Sequence, residues 1–122
     1  MTGSETQNHA PSQPDPRLVR IAALNDRIRK TNEGGITFLS RDVALMAGAK
    51  TVDLLKQVAD YDRFTKANDP QGERNRGAVL LFGKEVLWEI GYYDEQAVGP
   101  SKDPANADVT TRIMTIMLAS EY

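Results

Sequence analysis

The stretch that most constrains this chain is KEVLWEIGYY (84–93), where side chains alternate in character. Val86, Trp88, Ile90 and Tyr92 fall on one face, and Glu85, Leu87, Glu89, Gly91 and Tyr93 on the other. A period of two held over so many residues marks a strand. A continuous apolar run, 78–82, precedes it. Gly83-Lys84 between the two suits a two-residue turn with glycine first, so the pair is expected to form a hairpin. With 122 residues, the chain has room for one hydrophobic core and one domain.

Two helical patterns come before the hairpin. Leu18, Ile21, Leu24 and Ile28 recur at spacings of three and four, predicting a helix over 17–31. Asp15-Pro16 supplies its N-cap and first position, and Gly34-Gly35 its end. Ile36 to Leu39 reads as a short strand, and 40–49 is ambiguous, with Gly48 marking a turn. A second helix is predicted from Thr51 to about residue 67, with Leu54, Leu55, Val58, Tyr61 and Phe64 as its apolar stripe. The turn chemistry of 68–72 stops it. After a polar loop over 94–108, the ending 109–122 fits strand or helix, and β-branching at Thr110, Thr111, Ile113, Thr115 and Ile116 favours strand. Residues 1–16 contain no Leu, Ile, Val or aromatic side chain and are expected to form a disordered tail ahead of a domain at 17–122. The single histidine, His9, lies in that tail.

Composition closes off several function classes. No cysteine is present, which excludes disulfides, Cys-ligated zinc, iron–sulfur clusters and thiol catalysis. One tail histidine leaves no basis for a multi-histidine metal site or a Ser-His-Asp triad. The longest uncharged apolar run, 78–83, is far too short to cross a bilayer, and no secretory signal is visible, so a cytoplasmic location is expected. A net charge of −2 argues against a general nucleic-acid binder and against an acidic DNA mimic. Charge is nonetheless uneven along the chain. Residues 17–66 carry ten bases against six acids, and 89–108 five acids against one base.

Five strings taken in order resemble a known family. They are IAALNDRIRKT (21–31), NDPQGE (68–73), WEIGYYD (88–94), KDP (102–104) and TTRIMTIMLASEY (110–122). Together they resemble the bacterial family catalogued as domain of unknown function 3768, over nearly everything after the tail. The resemblance implies a small protein, often borne on plasmids or other mobile elements, without an assigned activity. One departure stands out. After NDP-x-G the family pattern reads Glu-His-Asp-Phe, whereas this chain reads Glu73-Arg74-Asn75-Arg76. Any metal or proton-transfer role of that His-Asp pair is lost here.

Three constellations could carry function. Asp69 and Glu73 lie four apart across a turn, near Asp94 if the hairpin folds back. Such carboxylates can split into acid and base, or bind a hard cation. Arg20, Arg27 and Lys30 fall on one flank of the first helix, where they could grip phosphate. Tyr93 sits beside acids on the hairpin face opposite Trp88, a position suited to a protein contact. No glycine-rich phosphate cradle and no nucleophile with a base partner is found.

The expected fold is α+β: two helices packed on a small, mainly antiparallel sheet of three to four strands. Trp88, Ile90, Leu80, Phe82, Leu55, Val58 and Leu24 are expected to meet in its core. The expected function is that of a non-enzymatic accessory protein of a bacterial mobile element, binding a host or element-encoded protein. Inhibition of a host restriction or CRISPR system is one concrete version. The contact surface is placed at Glu89, Tyr93, Asp94, Glu95 and Asp103, facing a basic groove on the partner. No cofactor, no metal site and no membrane partner is expected. The alternatives are a small metal-dependent enzyme using Asp69, Glu73 and Asp94, and a nucleic-acid-binding module using Arg20, Arg27 and Lys30.

Overall fold

The computed structural model describes residues 14–122. Most of the expected tail, His9 included, lies outside the described residues. Helix α1 (Pro16–Thr31) is followed by β1 (Ile36–Leu39), α2 (Arg41–Ala47), α3 (Thr51–Asp60), β2 (Arg76–Leu81), β3 (Lys84–Tyr93) and β4 (Thr111–Leu118). The four strands form one sheet in the order β1-β4-β3-β2. β1 runs parallel to β4, and the other two pairings are antiparallel. The α+β expectation is met, and the ending is a strand. A third, short helix, α2, occupies the ambiguous stretch. Ser40 caps it through its hydroxyl, which accepts from the Val43 amide, and Gly48 ends it at φ +47°.

Helix α1 starts as its sequence dictates, with the Asp15 carboxylate accepting from the Arg17 amide at 2.8 Å and Pro16 at the first position. It ends at Thr31, and Asn32 in the left-handed region turns the chain back. Gly35 then lets the backbone pass close by, since a Cβ there would lie 2.5 Å from both the Arg112 carbonyl and the Ile28 side chain.

Helix α3 is shorter than its stripe predicts, ending at Asp60 rather than near residue 67. The cause is long-range. The buried Arg29 side chain on α1 donates from Nη1 to the carbonyls of Val58, Ala59 and Tyr61 at 3.0, 2.8 and 3.0 Å. It thereby satisfies the terminal acceptors that another helical turn would have used. Tyr61 and Phe64 still reach the core, packing edge-on against Trp88.

The hairpin forms one residue earlier than expected. Leu81 pairs with Lys84, so the turn residues are Phe82 and Gly83, at φ +52° and +75°, not Gly83-Lys84. Two successive positive φ values give the mirror-image turn that matches strand twist. The core expectation needs correction at the same place. Val79 and Leu81 point inward on β2, while Leu80 and Phe82 are 63% and 61% exposed. Alternation from Val79 forces Leu80 outward, and Phe82 sits at the turn. Trp88, Ile90 and Val58 are buried as expected, and Leu24 and Leu55 are partly buried.

The three helices cover the sheet face that carries Trp88, Ile90, Met114 and Ile116. The opposite face has no such layer among the described residues. Cross-strand pairing places Ile36 beside Ile113, Phe38 beside Thr115, and Ala78 beside Leu87 beside Met117 on it.

Candidate functional site

Strand β3 delivers Tyr93 and Asp94 to one end of the sheet, and there the chain closes into a tight loop, 94–99. The Asp94 carboxylate holds it from within, accepting from the Val98 amide at 2.9 Å and the Gly99 amide at 3.2 Å. The Asp94 amide donates to the Gly99 carbonyl at 2.8 Å, and the Ala97 amide to the Asp94 carbonyl at 2.9 Å. Ala97 adopts φ +58°, a left-handed conformation that an alanine takes only when its surroundings impose it. The product is a braced loop with Val98 84% exposed at its surface and Glu95 exposed beside it. Tyr93, 38% exposed, folds its ring across Gly91, where any Cβ would meet it at 2.8 Å.

The five residues expected at the contact surface fall into two groups. Tyr93, Asp94 and Glu95 are consecutive in or beside this loop, with Asp94 acting as its internal brace. Glu89 and Asp103 are engaged elsewhere. Glu89 pairs with Arg76 across the β2–β3 ladder at 2.6 Å. Asp103 pairs with Arg17 at 3.0 Å and also accepts from the Ala105 amide. Arg20 donates to the Ala105 carbonyl at 3.0 Å. The basic start of α1 thus lies against the acidic loop, and the charge separation along the sequence is partly cancelled in space.

The carboxylates of the metal-enzyme alternative each hold local structure. Asp69 accepts from the Arg74 amide, Glu73 accepts from the Tyr92 hydroxyl at 2.6 Å, and Asp94 braces its loop. Among the described residues no three His, Cys, Asp or Glu side chains gather as a metal site. On the basic flank, Arg20 is tied to Ala105, and Arg27 lies 3.6 Å from Glu33.

The polar group that sequence reasoning missed is buried between α1 and the sheet. Asn25 donates to the Tyr92 hydroxyl at 2.8 Å and to the Glu73 carbonyl at 2.9 Å, and accepts from Arg112 Nε at 2.8 Å. Arg112 also donates to the Pro104 carbonyl. At the next position on α1, Asp26 accepts from both Arg29 and Arg74 at 2.9 Å. Burial pushes the Asp26 carboxyl up, but hydrogen bonds from the two guanidinium groups outweigh it and hold the group below the usual range. Burial, reinforced by the Glu73 carboxylate, holds the Tyr92 hydroxyl well above an ordinary phenol, so it stays a neutral donor. The signal for this network was present. Asn25 lies on the stripe of Ile21 and Ile28, and Arg112 is in phase with Met114 and Ile116 on the inward face of β4.

A cavity of about 290 Å³ opens beside Tyr61, Gly77, Leu87, Met117 and Tyr122. Trp88 stands at its wall but is fully buried. The charged groups on its wall, Arg76 and Glu89, are paired with each other at 2.6 Å.

The architecture is that of a small α+β protein whose polar interior is structural and whose accessible features are a braced loop and an open sheet face. Residues 39–121 match the model of the family described as a protein of unknown function, DUF3768, and the chain belongs to that family. The match covers four of the five strings that carried the resemblance, and the structure draws the fifth, in α1, against them. Neither curated proteins nor solved structures give a match.

Proposed function

We propose that the chain is a non-enzymatic accessory protein that acts in the cytoplasm by binding another protein, and that the 94–99 loop with Tyr93 is its contact surface. The observation that carries this reading is the braced loop. An exposed valine on a loop fixed by four internal hydrogen bonds and a strained alanine is costly to maintain unless a partner uses it. A pre-organised loop loses little entropy on docking, and Tyr93 adds a rigid, amphipathic ring beside it. Glu95, with no ion pair among the described residues, supplies the acidic complement to a basic partner surface. The setting in this reading is a mobile genetic element, where a host or element-encoded protein is the natural target. Inhibition of a restriction or CRISPR system is the concrete form of this reading. The metal-enzyme and nucleic-acid alternatives draw no comparable support, because their residues are spent on internal bonds or scattered.

The test is affinity for an isolated partner. Glu95→Lys combined with Val98→Asp should weaken binding by at least ~10-fold. Both positions are exposed, so thermal stability should stay near the parent value. Unchanged affinity in the double variant would remove this loop from the contact.

A further inference from the structure

The cavity beside Trp88 is separate from the 94–99 loop and has no part in the contact proposed for it. We infer that it is a binding site for a neutral, single-ring aromatic molecule carrying a carbonyl acceptor. Its volume of about 290 Å³ lies at the lower end of small-molecule sites, which suits one ring and a short substituent. Ala78, Leu87 and Met117 stand side by side on three adjacent strands and give it an apolar row. Met117 and the Tyr61 ring offer sulfur and edge contacts to an aromatic guest. The charged wall residues, Arg76 and Glu89, neutralise each other at 2.6 Å, so the site favours no net charge.

The observation that points to a ligand is the Trp88 indole nitrogen. Trp88 is fully buried, and its Nε1 has no hydrogen-bond partner among the described residues. Arg29 Nε is the one other buried side-chain atom there in that state, and its guanidinium bonds three carbonyls and Asp26 through the other nitrogens. The indole has no second polar atom, donates only, and ordinarily finds an acceptor when buried. An unmade bond of this kind costs free energy that an incoming acceptor recovers. Gly77 sets the nitrogen at the cavity wall. It pairs with Trp88 across β2 and β3, lines the cavity, and carries no side chain, where a Cβ would lie 2.7 Å from Nε1. Glycine inside a strand marks such places of close approach. Tyr61 packs edge-on 5.5 Å from the indole, and its hydroxyl is held by a bond of 3.3 Å, so it is placed to yield as the carbonyl seats.

Trp88 is the only tryptophan of the chain, so its indole N–H gives a single side-chain resonance in a proton–nitrogen correlation spectrum. Acetophenone is the probe. Titrated into the full chain, it is expected to move the indole proton downfield and to saturate with a Kd on the order of 1 mM, as befits so small a ligand. Toluene keeps the ring and lacks the acceptor, and at equal concentration it should cause no downfield shift. Ala78→Phe fills the apolar row and should weaken acetophenone binding by at least ~10-fold while the spectrum stays dispersed. No saturable downfield shift with acetophenone, or the same shift with toluene, would overturn the proposal, and neither result depends on a variant. Undiminished binding to a folded Ala78→Phe chain would place the ligand elsewhere and overturn it equally.

Discussion

Arg29 determines more of this structure than its position on a charged helix suggests. Its guanidinium is buried, ends helix α3 through three carbonyls, pairs with Asp26, and lies 5.4 Å from the ring centroids of both Phe64 and Trp88. Removing it takes the side-chain donor from three carbonyls, two of them at the close of α3, and one of two guanidinium partners from Asp26. Arg29→Met is therefore expected to lower unfolding free energy by about 3–5 kcal/mol, read from urea denaturation. Asp26 gives a pH signature with a definite sign. Its folded pKa lies below the ordinary 3.8, so its contribution is present above that value and is lost as pH falls through the folded pKa. Asp26→Asn should cost about 1.5–3 kcal/mol at pH 7, where charged hydrogen bonds are lost. The gap between variant and parent should narrow steadily below pH 4. A gap independent of pH would contradict the ionic role.

At the scale of elements, the hairpin turn is the point where local chemistry and fold disagree. Type I′ turns favour Asn-Gly, yet this chain places Phe82 before Gly83. Phe82→Asn is expected to raise stability by up to about 1 kcal/mol, measured as a higher melting temperature. A loss of stability would mean that the ring packs in a way its exposure does not suggest. The same region shows what was legible beforehand. Alternation over 84–93 identified β3 and its buried face, because period two survives any context. The turn was displaced by one residue because Gly83 serves a left-handed conformation at either turn position, and pairing of Leu81 with Lys84 selects between them. The end of α3 was not legible at all. Tyr61 and Phe64 continue the helical spacing, and only Arg29, some thirty residues earlier, decides that the helix stops. Asn25 and Arg112 were legible in principle, since both sit in phase with apolar neighbours.

For the whole molecule, folding brings the basic first helix against the acidic loop through Arg17–Asp103 and Arg20–Ala105. The sequence's charge polarity is thereby partly cancelled in space. Sequence alone could not reveal this, because the two segments lie 85 residues or more apart. What remains accessible is the Tyr93, Glu95 and Val98 end, a surface suited to protein contacts, and the open sheet face. Neither resembles a reaction centre. The central claim is that this chain works by engaging another protein. It is tested most directly by tagged capture from a lysate of the native host, with and without nuclease, comparing the parent chain with the Glu95→Lys, Val98→Asp variant. The account predicts a stoichiometric protein that survives nuclease and is lost with the variant. Recovery that disappears with nuclease, or a partner held equally by the variant, would contradict it.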